Sequence, residues 1–145
     1  MRSTLLPTAL TAVAAALVFM TPGSAAAQTV HTEHATRSGT PTVDANCGWV
    51  SAGGHDRGMA CFKASGDKFY IKDLYADGHH VEVRGQDNVS GDGYRCWEDG
   101  GTAAGWQVCD SFWDDIAENA TVSWVVSVYE GSDLLWSGPI KLSNA

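Results

Sequence analysis

The sequence has 145 residues, of which 44% are hydrophobic, 10% aromatic and 18% charged, a composition that can fill a core and excludes disorder along the whole chain. With 9 basic residues against 17 acidic ones, the formal net charge is −8, which disfavours a nucleic-acid or anionic-membrane binder. Such a chain holds one small domain once its first segment is removed.

The N-terminal segment has the features of an export signal. A basic start at Arg2, an uncharged run over residues 5–20 and a small-residue site ending at Ala27 follow one another in the required order. We therefore predict a signal peptide over residues 1–27 and a secreted, extracellular protein. A membrane anchor is the alternative, but Pro7 interrupts the run and the Ala-rich site follows at once.

The next segment, residues 28–46, has only Val30 and Val43 as large hydrophobic side chains and shows neither helical nor strand periodicity. We predict that it is a flexible leader. His31 and His34 could attract a transition metal, but a mobile segment provides no fixed ligand geometry. A solvated tail without a metal is therefore expected.

From residue 47 onward, short runs of aromatic and β-branched residues alternate with Gly, Asp, Asn and Ser, a pattern typical of all-β domains. We predict a single domain over residues 47–145, folded as a small antiparallel β-sandwich of about eight strands. The strands are expected over residues 48–51, 59–64, 68–74, 80–84, 94–98, 105–109, 121–129 and 134–142.

The clearest of these strands is 121–129, because Val122, Trp124, Val126 and Val128 alternate onto one face. Trp124 is the clearest core residue. Residues 111–119 are the only helical candidate, so at most one short helix is expected.

All four cysteines lie in the predicted domain, and an even number in a small exported domain indicates two disulfides. Three pairings are possible. We favour Cys47 with Cys61 and Cys96 with Cys109, since each would bridge two neighbouring strands. A zinc site is the alternative, but zinc ligands usually include closely spaced pairs, which this sequence lacks.

Residues 66–83 (GDKFYIKDLYADGHHVEV), 94–97 (YRCW) and 105–110 (GWQVCD) resemble a group of small secreted proteins of actinobacteria. That group combines a signal peptide, a strand ending in an Asp-x-x-Ala-Asp-Gly turn, and a Cys-Trp pair followed by a Trp-containing Cys strand. The resemblance implies export and a β fold stapled by two disulfides, and it implies no particular activity.

A weaker similarity links the chain to secreted α-amylase inhibitors of the tendamistat type, which are small two-disulfide β-sandwiches. Residues 94–97 have residue types similar to the inhibitors' Trp-Arg-Tyr triplet, but in another order. The triplet itself is absent and the cysteine spacing differs, so this similarity implies architecture alone.

Catalytic chemistry has little support in the sequence. His55 lies beside Asp56, which could orient an imidazole, but no nucleophile elbow of the G-x-S-x-G type occurs. His79 and His80 should face opposite sides of a strand and cannot chelate together. We therefore expect that the protein is not an enzyme and that it uses no cofactor.

Residues 87–93 (DNVSGDG) gather oxygen ligands in a Gly-rich loop but depart from the EF-hand pattern. A polar hairpin loop is favoured over a calcium site, because Asn, Asp, Ser and Gly are also the ordinary turn residues.

Six tryptophans follow Cys47, more than the core of a sandwich this small is expected to absorb. We identify Trp97, Trp106 and Trp113, together with Tyr94, as candidate binding residues that could stack on sugars or anchor a partner. Packing of these rings around the second disulfide is the alternative.

The sequence thus predicts a secreted, non-enzymatic binding protein, expected to be a monomer, whose partner is an extracellular protein or a carbohydrate surface. No nucleic acid is expected as a partner, and no membrane after signal removal. Two alternatives remain open, an inhibitor of an extracellular hydrolase and a small secreted hydrolase.

Overall fold

The computed structural model describes residues 27–42 and 44–145. The predicted signal peptide, apart from its last residue Ala27, lies outside this part of the chain. The eleven strands are β1 (Val30–His34), β2 (Thr36–Arg37), β3 (Asn46–Ala52), β4 (His55–Lys63), β5 (Lys68–Asp73), β6 (His80–Asp87), β7 (Gly93–Glu98), β8 (Gln107–Cys109), β9 (Thr121–Glu130), β10 (Asp133–Ser137) and β11 (Lys141–Asn144).

The strands form two sheets that pack face to face, which confirms the all-β sandwich class. Sheet A has the order β1-β7-β6-β9-β10, with β11 also paired to β9, and sheet B has the order β2-β8-β5-β4-β3. All pairs are antiparallel except β1 with β7. Across residues 27–42 and 44–145, no helix has the length and apolar character needed to span a bilayer.

The core lies between the sheets and follows from alternation along the strands. On β9, Val122, Trp124, Val126 and Val128 point inward and are all at least 98% buried. Trp124 meets Phe69 of sheet B edge to face, with ring centroids 5.9 Å apart. The predicted core position of Trp124 is therefore confirmed.

Local structure departs from the sequence predictions at two places. The predicted last strand, 134–142, is divided by residues 138–140 into β10 and β11, which both pair with β9. The predicted helix over 111–119 is reduced to a single 3-10 turn at Phe112–Asp114, and a second 3-10 turn covers Thr102–Ala104. These two turns are the only helical elements in the described residues.

The prediction of a flexible leader over residues 28–46 is wrong for residues 30–37, which contain two strands. β1 pairs in parallel with β7, and β2 pairs with β8, so this segment supplies the outermost strand of each sheet. Backbone hydrogen bonds between paired strands hold this segment in place. The side chain of Glu33 adds to them, since its carboxylate accepts hydrogen bonds from the backbone amides of Asp110 and Ser111. An edge strand held in this way needs no hydrophobic alternation.

Both histidines of this segment contact the sandwich, His31 as a half-buried side chain and His34 as an exposed one. The His31 ring stacks on Tyr94 at 5.4 Å, and its Nδ1 lies 3.1 Å from the Asp115 carboxylate. His34 pairs with Asp99 at 3.0 Å. The folded domain therefore begins before residue 47.

Both predicted disulfides are present, Cys47–Cys61 and Cys96–Cys109. The first joins register partners on β3 and β4 inside sheet B, as expected. The second joins β7 of sheet A to β8 of sheet B, so it ties the two sheets together rather than two neighbouring strands. Two disulfides indicate folding in an oxidising compartment.

Candidate functional site

The predicted binding residues do not form one surface. Trp97 follows Cys96 on β7, and since Cys96 points into the core, Trp97 points out of sheet A. Trp106 precedes β8 and lies on the outer side of sheet B, where its ring faces Lys72 of β5. The two tryptophans flank the same disulfide but lie on opposite faces of the sandwich.

Tyr94 is a core residue, so its prediction as a contact residue is wrong. Its side chain is 2% exposed, and its ring packs against Phe112 with centroids 5.6 Å apart. Its hydroxyl donates a hydrogen bond of 2.6 Å to Asp87. Burial and this bond raise the pKa of Tyr94. Alternation explains the placement, because Tyr94 has the same parity as Cys96 on β7.

The remaining predicted residue, Trp113, lies in the 3-10 turn Phe112–Asp114, and its side chain is outside the described part of the structure.

The outer surface of sheet B carries a row of large side chains that crosses four strands. Trp49 of β3 is the register partner of Met59 on β4, and Met59 is the partner of Lys72 on β5. The Lys72 ammonium then lies 5.8 Å from the centre of the Trp106 ring. We call this surface the aromatic face and define it by Trp49, Met59, Tyr70, Lys72 and Trp106.

Tyr70 begins a second row beside the first. It is the register partner of Cys61, and on its other side it pairs with Val108 of β8. The Cys47–Cys61 disulfide therefore lies at the base of the aromatic face and covalently joins two of its strands. Trp49 and Tyr70 are thus mounted on strands of a cross-linked sheet, and Trp106 directly precedes strand β8, which preorganises the rings for contact.

Trp49 is the most exposed of these rings, with 45% of its surface accessible, and Met59, Tyr70 and Trp106 are half-buried. Sequence reasoning identified Trp106 but missed Trp49. The signal was available in Gly48-Trp49-Val50, because a buried Val50 on a strand requires its neighbour Trp49 to face outward.

The outer surface of sheet A is different in character, because an ion network fills it. Glu82 is fully buried there, under Arg84 and Arg95, and Arg95 donates to its carboxylate at 2.7 Å. Burial alone would raise the pKa of Glu82, but the hydrogen bonds from both arginines outweigh it and lower the pKa. The charges of Arg84 and Arg95 are therefore paired with Glu82 within the protein. Trp97 lies beside this network, with Arg95 5.7 Å from its ring centre.

A shallow pocket of ≈ 370 Å³ lies at one end of the sandwich and is lined in part by Asp73, His79 and Asp99. Burial raises the pKa of Asp73, and it also raises the pKa of Glu98. His79 is held by Asp77, whose carboxylate lies 3.0 Å from its Nδ1. Among the carboxyl groups that line the pocket, Asp73 is the one whose pKa is raised.

The candidate catalytic pair does not assemble. His55 is exposed in the β3–β4 hairpin with its ring 5.0 Å from Tyr75, and Asp56 accepts a hydrogen bond from Ser51. His80 lies on the outer surface of sheet A, where its ring stacks on Tyr129, whereas His79 pairs with Asp77.

The loop over residues 87–93 is organised by one carboxylate. Asp87 accepts hydrogen bonds from the amides of Val89 and Ser90, from the Ser90 hydroxyl and from Tyr94. Burial alone would raise the pKa of Asp87, but these bonds lower it to about 2. This is the polar hairpin loop. Within the described residues, no group of three or more His, Cys, Asp or Glu side chains has the arrangement of a metal site.

A comparison of the chain with protein-family models, with curated proteins and with solved structures finds no match. The function therefore has to be argued from the surface itself.

Proposed function

We propose that this chain is a secreted, non-enzymatic binding module that attaches to an extracellular carbohydrate surface through the aromatic face. The observation that carries the proposal is the row from Trp49 to Trp106 on the outer side of sheet B. The export features of the first 27 residues and the two disulfides support action outside the cell.

The shape of the face favours an extended ligand over a small molecule. Neighbouring strands lie about 4.8 Å apart, so the row from Trp49 to Trp106 spans roughly 14 Å of sheet surface. Small-molecule sites are concave, whereas an open sheet surface can lie against a polymer along its length. Indole and phenol rings suit such contacts because they combine a large apolar face with a polar edge.

Binding to insoluble polysaccharides tests the proposal, with the exported full chain purified from culture medium. We expect Trp49→Ala and Trp106→Ala each to weaken binding by about 30-fold, corresponding to about 2 kcal/mol at a hot-spot residue. Trp97→Ala is the matched control, because its ring lies on the opposite sheet, and it should bind like the unchanged protein.

Two results would contradict this proposal. Loss of binding in Trp97→Ala together with normal binding in Trp49→Ala would move the site to sheet A. Failure to bind any polysaccharide, combined with inhibition of an extracellular hydrolase, would favour the inhibitor alternative.

A further inference from the structure

The lysines of this acidic protein are unevenly placed. The sequence contains four, Lys63, Lys68, Lys72 and Lys141, against a net charge of −8. Lys63 has the same parity as Met59 on β4, and Lys68 has the same parity as Lys72 on β5. Three of the four therefore share the outer side of sheet B with the aromatic rings.

Two of these lysines oppose each other directly. Lys63 and Lys68 are register partners across β4 and β5, an arrangement in which like charges destabilise a sheet. Lys68 has one counter-ion, Asp110, at 3.9 Å, and the Lys68 side chain is 35% exposed. Among the described residues, Lys63 and Lys72 form no ion pair, so the three lysines share a single ion pair, the one between Lys68 and Asp110.

Asp110, beside Lys68, is one of three acidic groups near the face, and the other two are Asp56 and Asp44. Asp56 is beside Ser51 at the end of β3, and Asp44 lies before β3. A hydrogen bond from Thr42 is the largest cause that lowers the pKa of Asp44, and the charge of Lys63 adds to it. Lys72 lies within the row of the aromatic face, between Met59 and Trp106, and Lys63 and Lys68 lie at the β4–β5 hairpin end of the same sheet surface.

We infer that the ligand of the aromatic face is an acidic polysaccharide of the polyuronate class, whose carboxylates pair with Lys63, Lys68 and Lys72. This inference rests on the proposed function. The lysines favour a polyanion because their charge is complementary to it. The tryptophans favour a polyanion made of sugars, because a polymer of phosphate and glycerol has no ring faces that could stack on Trp49 and Trp106. Lys72, between Met59 and Trp106, places a cation next to a stacking ring.

The net negative charge does not prevent this contact. Screening confines electrostatic interactions to about 10 Å at roughly 0.1 M salt, so a ligand on the face responds mainly to the lysines below it. Above physiological ionic strength the same attraction weakens, and binding should fall as salt rises from about 0.15 M to about 1 M.

The test compares two forms of one polymer, soluble polygalacturonate and its fully methyl-esterified form, which has the same backbone without the charge. The dissociation constant of the full exported chain is measured for each at about 0.15 M NaCl. We expect the free acid to bind at least about tenfold more tightly. Lys63→Gln and Lys72→Gln should each weaken binding to the free acid by about fivefold. Lys141→Gln, in β11 of sheet A, should leave it unchanged.

The outcomes separate this inference from the proposed function. Equal binding of both polymers, with Trp49→Ala still defective, would leave a neutral-sugar module and overturn the polyuronate inference alone. If DNA binds as tightly as polygalacturonate, the polyuronate inference is also overturned, because binding would then depend on the negative charge of the polymer and not on its sugar rings. If Trp49→Ala and Trp106→Ala bind every polysaccharide as well as the unchanged protein does, the proposed function fails.

Discussion

The side-chain amide of Gln107 donates a hydrogen bond of 2.8 Å to the buried carboxylate of Glu98. Glu98 belongs to β7 in sheet A and Gln107 to β8 in sheet B, so the bond joins the two sheets beside the Cys96–Cys109 disulfide. Burial raises the pKa of Glu98 above its ordinary value of 4.5. This junction therefore loses stability when Glu98 ionises.

Gln107→Leu should destabilise the protein by about 1 to 3 kcal/mol, because it leaves one carboxylate oxygen of Glu98 without its donor. Burial raises the pKa of Glu98 in the folded state. The contribution of protonated Glu98 to the stability of the fold is therefore fully present below pH 4.5, and it is lost as pH rises through the folded-state pKa. Relative to the unchanged protein, the variant should therefore lose more unfolding free energy near pH 7 than near pH 4, as measured by urea unfolding. An equal loss at both values would show that Glu98 stays neutral throughout.

Asp67→Asn should stabilise the protein. Asp67 is 4% exposed in the β4–β5 turn, and within the described residues its Oδ1 has no hydrogen-bond partner. Burial first, and the charge of Glu118 second, raise the pKa of Asp67 from 3.8 to about 6. Ionisation thus costs stability as pH rises from 3.8 to about 6. Asn removes the charge and tolerates the φ of 46°.

The expected gain in unfolding free energy near pH 7 is up to about 3 kcal/mol, and it should vanish below about pH 3.5. Denaturant unfolding at both values measures it. Glu118→Gln serves as the comparison and should give a smaller gain, because Glu118 is the lesser cause. A gain of the same size at acidic pH would assign the effect to the turn conformation instead.

Tyr94→Phe should cost about 1 to 3 kcal/mol near pH 7, since it removes the 2.6 Å bond to Asp87 and leaves that buried carboxylate short of a donor. The pKa of Asp87, now about 2, should rise toward 3.8. A lowered carboxyl pKa contributes stability above 3.8 that is lost as pH falls through about 2. The variant should therefore lose less stability between these values, measured by acid titration of circular dichroism.

Gly138→Ala should be strongly destabilising, by about 3 kcal/mol or more, because a Cβ at this position would overlap the backbone carbonyl of Trp49. Gly138 also donates a backbone hydrogen bond to Val126, which fixes its place between β10 and β11. Gly39→Ala is the control, as open space surrounds that position. Thermal unfolding of both variants provides the measurement, and similar melting temperatures would contradict the close approach.

The sequence predicted the features that depend on local patterns. Alternation over residues 121–129 placed Trp124 in the core, and the cysteine spacing led to the observed disulfide pairing. The stated reason held only for Cys47–Cys61. Cys96 and Cys109 belong to different sheets, and sheet membership depends on pairing between distant segments, which a local pattern does not contain.

The candidate site was predicted only in part for the same reason. Trp97 and Trp106 are close in sequence and flank one disulfide, but that disulfide crosses the core, so the two rings point away from each other. Trp49 joins Trp106 through the pairing of four strands. Proximity along the chain therefore gave the wrong neighbours, and strand parity combined with sheet order gives the right ones.

The short N-terminal peptide that holds β1 and β2 covers the outer hydrogen-bonding edges of both β7 and β8. A proteolytic cut just after Arg37, followed by loss of this peptide, would uncover two adjacent rows of backbone donors and acceptors at once. Unpaired strand edges recruit strands from other molecules. Trimming of the N-terminus would then replace the edge strands β1 and β2, of five and two residues, by β7 and β8, of six and three residues, and we expect these longer edges to increase self-association.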